Sequence, residues 1–207
     1  MALSAEHFAK MREEKKRVIL REALVQFSAK GLFATRIRDI AQCAGIAQGL
    51  VYNYFQSKEE MYTALVIDAL DKLNEAAEML ERTELSAREV IQSSVIQLLD
   101  TIERSEEFCQ TCRFISQATT SSAIPEEAKC AIAQKRGLPY EAIGRIMRRG
   151  QREGTVVDGD PDELAVLFWT SINGLAIYRA SREDRPAIPS AALIVRMFLK
   201  ENGTEGK

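Results

Sequence analysis

The 207-residue chain has one histidine, His7, one tryptophan, Trp169, and four cysteines, at 43, 109, 112 and 130. Cys109 and Cys112 form a C-x-x-C with no second pair, so no metal-ligand spacing is present. The thiols are expected to be reduced and packed among apolar groups. No apolar run approaches about 18 residues, so no membrane-spanning helix is expected. Charges at Glu6, Lys10, Arg12, Glu13 and Glu14 leave no apolar stretch long enough for a secretory signal, and a cytoplasmic location is expected. Internal repeats, low-complexity segments and strand-like alternation are also missing. Without a nucleophile–base pairing or a phosphate loop, the chain does not read as an enzyme, and no cofactor is expected.

What is there is helical pattern throughout, which gives an all-α fold class. Residues 1–60 carry 10 Lys/Arg against 7 Asp/Glu, whereas residues 61–207 carry 18 against 23. This asymmetry suits a small DNA-binding domain at 1–60 and an acidic helical domain at 61–207.

The stretch Arg36 to Phe55, RIRDIAQCAGIAQGLVYNYF, reads as two short helices around a tight turn. Ile37, Ile40 and Ala41 place small and apolar groups on one face. Gly45 falls where the first helix must stop in a left-handed conformation. Ile46 and Val51 are expected inside, which leaves Gln48, Gly49, Tyr52 and Asn53 outside. This is the helix-turn-helix pattern that places a helix in the DNA major groove. Before it, residues 1–13 read as a frayed lead-in and Lys15 to Lys30 as a helix ending at Gly31. Leu32 and Phe33 are expected to seal a small core, with Thr35 as the next N-cap.

After the motif, Ser57 and Glu60 form a capping box that opens a long helix. Met61, Leu65, Ala69, Leu73, Ala76 and Leu80 are expected along one of its faces. Ser86 and Glu89 cap a further helix, Glu106 starts another, and Pro125 with Glu126 and Glu127 another. Gly137 and Pro139 break the pattern, and Gly154 ends its continuation. Arg145, Arg148, Arg149 and Arg152 read as a solvated basic face. Asp160-Pro161 starts a helix that is apolar on nearly all sides. A last helix is expected from Ser190 to about Glu201. The apolar surface of these two suggests a subunit interface.

Residues from about Ile19 to Val66 resemble the TetR family of bacterial repressors. The resemblance rests on Ile19-Leu20, Ala23, Phe27, Gly31, Thr35, Asp39-Ile40-Ala41, Ala44-Gly45-Ile46, Gly49, Val51-Tyr52, Tyr54-Phe55 and Ser57-Lys58-Glu59-Glu60. It implies phosphate contacts by Thr35, Tyr52, Tyr54 and Lys58. Gln48, Gly49, Leu50 and Asn53 would lie near base edges, with Lys15, Lys16 and Arg17 beside the site. Ala47 stands where the family often has serine, so the second helix lacks a side-chain cap. Arg36 replaces a small polar residue and adds a possible phosphate contact.

The family's layout further implies a small-molecule effector held by the middle helices. The candidate lining is Leu99, Phe108, Cys112, Arg113, Ile115, Gln117, Tyr140, Met147 and Trp169. A homodimer through the last two helices would then present two heads to a palindromic double-stranded operator. The competing reading is a helical ligand-binding or scaffolding protein whose head no longer binds DNA.

Overall fold

A computed structural model describes residues 2–182 and 184–201, and side-chain statements begin at His7. Helix α1, Ala2–Ala34, extends through the segment expected to fray. Gly31 interrupts it, with φ 75° and ψ 174°. There follow α2 Ile37–Cys43, α3 Gln48–Val51, α4 Lys58–Arg82, α5 Ala87–Arg104, α6 Glu106–Thr120, α7 Glu126–Lys135, α8 Leu138–Arg152, α9 Pro161–Ala180 and α10 Ala191–Val195. Among the described residues the only extended pairing is one antiparallel bridge, Val156 with Leu199.

The chain divides into two compact units that cut across its order. One gathers Met1–Ala69 with Arg113–Ile132; the other gathers Leu70–Cys112 with Ala133–Lys207. The first unit closes around Ile19, Ala23, Phe27, Ile40, Val51, Phe55 and Met61, all buried. Tyr62 of α4 packs edge-on to Phe27 of α1 at 5.3 Å and to Phe114 of α6 at 4.8 Å between ring centroids. Such aromatic pairs add about 0.5–1.5 kcal/mol each beyond their burial. One turn after Phe114, the Gln117 amide donates to the Ser28 carbonyl at 3.1 Å. Phe33, expected in this core, is 74% exposed. The break at Gly31 turns Leu32 inward and its neighbour outward.

In the second unit, Ser86 and Glu89 form the full reciprocal capping box of α5. Asp160 caps α9 by accepting from the Asp162 amide at 2.8 Å. Gly150 of α8 is required by close approach: a Cβ there would meet Val156 Cγ2 at 2.3 Å and Ala87 Cβ at 2.9 Å. The buried stripe of α4 differs from expectation. It follows Met61, Tyr62, Leu65, Val66, Leu70 and Ala77, while Ala76 is exposed. A straight helix advances 3.6 residues per turn, so its inward face drifts off a repeat that steps mostly by four.

The last helix is also shorter than expected. After Val195 the backbone leaves the helix, and Lys200 N–H donates to Thr155 O at 2.9 Å while Val157 N–H donates to Phe198 O at 2.9 Å. This pairing buries Phe198 and Leu199 in their own unit's core. The apolar residues that suggested a helical face are satisfied by a turn and a bridge. The basic face of α8 is salted by neighbours: Arg145 with Glu81, Arg148 with Asp162 and Arg149 with Glu153.

Candidate nucleic-acid interface

The interface is built from the turn outward. Ala44 caps α2, Gly45 takes φ 66°, and the Ile46 amide donates to Ala41 O at 3.0 Å. The Gly45 amide donates to Gln42 O at 3.2 Å. These two bonds complete a Schellman turn and satisfy carbonyls that the helix end leaves open. Ile40, Ala41 and Val51 are buried beneath it, whereas Ile46 is only half-buried.

Helix α3 begins after Ala47, which gives no side-chain cap, and is four residues long. Its end tightens into i→i−3 bonds, from Asn53 N–H to Leu50 O and from Tyr54 N–H to Val51 O. Gln48, Gly49 and Asn53 are exposed, Leu50 is 49% exposed and Tyr52 is 50% exposed. No atom lies within 4 Å of a Cβ built at Gly49, so that part of the surface is open to a partner.

Two expectations change here. Thr35 does not cap α2; Arg36 occupies the cap position, without a side-chain cap bond. Thr35 is buried, and its hydroxyl donates to the Gly31 carbonyl at 2.7 Å, closing the turn after the break. Lys58 is also engaged inside the unit. Its ammonium donates to Leu32 O at 2.8 Å, Phe33 O at 3.1 Å and Thr35 O at 3.1 Å. A cation on the last carbonyls of α1 complements the negative helix end. Arg36 is exposed.

Sequence reasoning missed Arg12. Its guanidinium donates to Asn53 O at 2.8 Å and lies over the Tyr54 ring, 5.3 Å from the centroid. One turn on, the Lys16 ammonium lies over the Phe55 ring at 5.6 Å. The spacing of Arg12 and Lys16 on one helix face was the available signal, but nothing local pointed to the partner.

The residues expected to line an effector site divide between the two units. Leu99, Met147 and Trp169 lie in the apolar core of the second unit, with Phe108, Cys112 and Tyr140 packed partly against it. The Trp169 indole donates to Pro139 O at 3.0 Å. Arg113, Ile115 and Gln117 belong to the first unit, where Gln117 bonds Ser28. Burial pushes the Cys112 thiol up to about 12 and raises that of Cys109, whose thiol donates to Ile102 O at 3.4 Å.

A helix-turn-helix with a glycine-closed turn and an exposed second helix defines a DNA-binding protein. Residues 19–65 match the sequence pattern of the bacterial regulatory proteins, tetR family. The transcriptional repressor KstR2 of Mycolicibacterium smegmatis is 46% identical over 55 residues, spanning 27% of each chain. The transcriptional regulator TtgR of Pseudomonas putida is 27% identical over 173 residues, 79% of each chain. The solved structure of the ketosteroid transcriptional regulator KstR2 of Mycobacterium tuberculosis shares the fold. It has a TM-score of 0.71 at 22% identity, covering 90% of this chain and 95% of that one. Residues 19–65 form a DNA-binding domain of the TetR family, and the chain is a DNA-binding transcriptional regulator. Among the described residues no helix is long and apolar enough to cross a membrane.

Proposed function

We propose that the protein is a cytoplasmic, homodimeric repressor that leaves a palindromic double-stranded operator when a small-molecule effector binds residues of the 61–207 domain. The observation that carries the DNA reading is the exposed face of Gln48, Gly49, Leu50, Tyr52 and Asn53 above a buried Val51. In this reading Gln48, Gly49, Leu50 and Asn53 meet base edges. Arg36 and Tyr52 meet phosphates, and Thr35, Tyr54 and Lys58 support them from the 1–60 domain. Phosphate contact by Lys58 would require its ammonium to exchange at least one carbonyl for a phosphate oxygen.

The dimer reading is supported by an exposed apolar stripe on α9: Val166, 50% exposed, Leu167, 40%, and Tyr178, 46%. Leu193 and Met197 are exposed as well. With α10 short, α9 would supply most of the pairing surface, and the heads would then meet half-sites about 34–36 Å apart or a multiple of that. The effector would act through α4, which runs unbroken from Lys58 to Arg82, by binding the non-DNA conformation more tightly.

Selection of bound sequences from a random DNA pool tests this reading. A palindromic consensus is expected, and Gln48→Ala with Asn53→Ala should relax base choice within its half-sites. A pool that yields no consensus, or variants that select the same one, would overturn the base-reading assignment. Leu167→Glu should give a monomer in sedimentation; an unchanged dimer rules out the α9 surface.

A further inference from the structure

Helices α8 and α9 hold Gly144, Gly150 and Gly174, and the first two are explained by their own chain. A Cβ at Gly150 would meet Val156 and Ala87, and one at Gly144 would meet Asp162 Oδ1 at 2.7 Å. Gly174 lies inside the 20-residue α9, is exposed, and has no described atom within 4 Å of its Cβ position. Glycine is the poorest helix former after proline. Within the subunit nothing is packed where a side chain at 174 would stand.

Beyond the first turn of α9 the exposed residues are Val166, Leu167, Thr170, Gly174 and Tyr178, and none is charged. Helix α8, by contrast, shows Glu141, Arg145, Arg148 and Arg152 to solvent. The Thr170 hydroxyl donates to Val166 O at 2.7 Å, so it needs no outside partner. Val166, Thr170, Gly174 and Tyr178 stand four apart and form one ridge. Its ends are large side chains, 50% and 46% exposed, and its centre is low. A second helix fits across such a waist. In a two-fold pairing each group near the axis meets its own copy, so a charge there would meet its like. A face with no charge at its centre therefore suits a second copy of itself.

We propose that Gly174 is the point at which α9 crosses the α9 of a second copy of this chain, with Thr170 beside it. This rests on the dimer reading above and fixes where in α9 the two copies meet. Contact through glycine brings the helix axes to the short end of the range of about 8–10 Å for packed helices. Ridges four apart interdigitate at a crossing of about −50°. Leu167 and Tyr178 then flank the crossing on either side, and the two-fold axis passes beside Gly174.

Sedimentation equilibrium of the full chain tests this without DNA. Gly174→Ala adds one methyl at the crossing and improves helix propensity, so it is expected to fold and to weaken the dimer about tenfold. Gly174→Leu should weaken it about a hundredfold. Disulfide trapping adds a positional readout. With the exposed Cys43 and Cys130 changed to serine, Gly174→Cys should cross-link to its own copy under oxidised glutathione, because the crossing brings the two positions within disulfide reach. Glu163→Cys, about 16 Å away along the helix, should not. Unchanged dimerisation of Gly174→Leu, or cross-linking at 163 and not at 174, would overturn the crossing point. If Leu167→Glu is monomeric in that case, the α9 dimer itself stands; if Leu167→Glu remains a dimer, both readings fall.

Discussion

The Arg12 guanidinium holds the end of the helix-turn-helix, donating to Asn53 O at 2.8 Å and lying over the Tyr54 ring, 5.3 Å from its centroid. Helix α3 has no side-chain N-cap, so its far end is fixed by a residue 41 positions earlier. Arg12→Lys keeps the charge but loses the planar fork. A charge-assisted bond and an exposed cation–π contact together suggest a loss of about 1–3 kcal/mol. Operator affinity is therefore expected to fall about tenfold in Arg12→Lys, with the salt dependence unchanged. If Arg12 instead grips a phosphate, lysine would restore binding, and Arg12→Ala would flatten the log–log salt slope by about 1. Titration at several salt concentrations separates the two.

Gly45 and Gly49 should respond oppositely to alanine. Gly45 has φ 66°, and Gly49 lies in α3 with open space around its Cβ position. Gly45→Ala should cost about 1–2 kcal/mol through left-handed strain. Gly49→Ala should gain up to about 1 kcal/mol in helix propensity while altering DNA affinity. Thermal unfolding of the two variants checks the signs, and matching losses would show that the turn does not set the difference.

Thiol reactivity should split two and two. Cys43 and Cys130 are exposed; Cys109 is buried and Cys112 half-buried, with its thiol pushed up to about 12 by burial. Iodoacetamide at pH 8 should label Cys43 and Cys130 first, because the thiolate is the reactive form. Early labelling of Cys112 in mass spectra would contradict this and reopen a reactive role for the C-x-x-C pair.

Alkaline stability should depend on Tyr62, whose phenol is raised from 10.0 to about 12 because burial penalises the phenolate. The folded value lies above the unfolded one. Its contribution is therefore full below about pH 10 and is lost as pH rises from 10 to 12. Two units correspond to about 2–3 kcal/mol. Tyr62→Phe should be flatter than the parent across that window in denaturant unfolding, and parallel profiles would show that Tyr62 does not dominate there.

The helix-turn-helix was legible because its geometry admits few residues. Gly45 needs a positive φ, Ala41 a close approach and Val51 a buried anchor, and all three are local demands. The caps at Ser86 and Asp160 were legible for the same reason. The Thr35 cap, the C-terminal helix and the Phe33 burial were misread because distant partners decided them. Lys58 draws in the carbonyls after Gly31, and residues 155–157 capture the backbone after Val195. Arg12 lay in a segment read as frayed, and a contact spanning 41 residues has no sequence period. The effector lining could not be told from plain core, since Leu99, Met147 and Trp169 have the composition of both.

The aromatic cluster also sets a limit on dissection. Phe27 completes its surroundings with Tyr62 and with Phe114, which arrives after a long stretch of intervening chain. A minimal fragment ending at residue 60 would carry every side chain proposed to touch DNA, yet it would leave Phe27 bare to water and Ser28 O without Gln117. Such a fragment should be soluble and folded only when residues 61–132 remain attached. Limited proteolysis of the intact chain should therefore not release a stable head by a cut near residue 60.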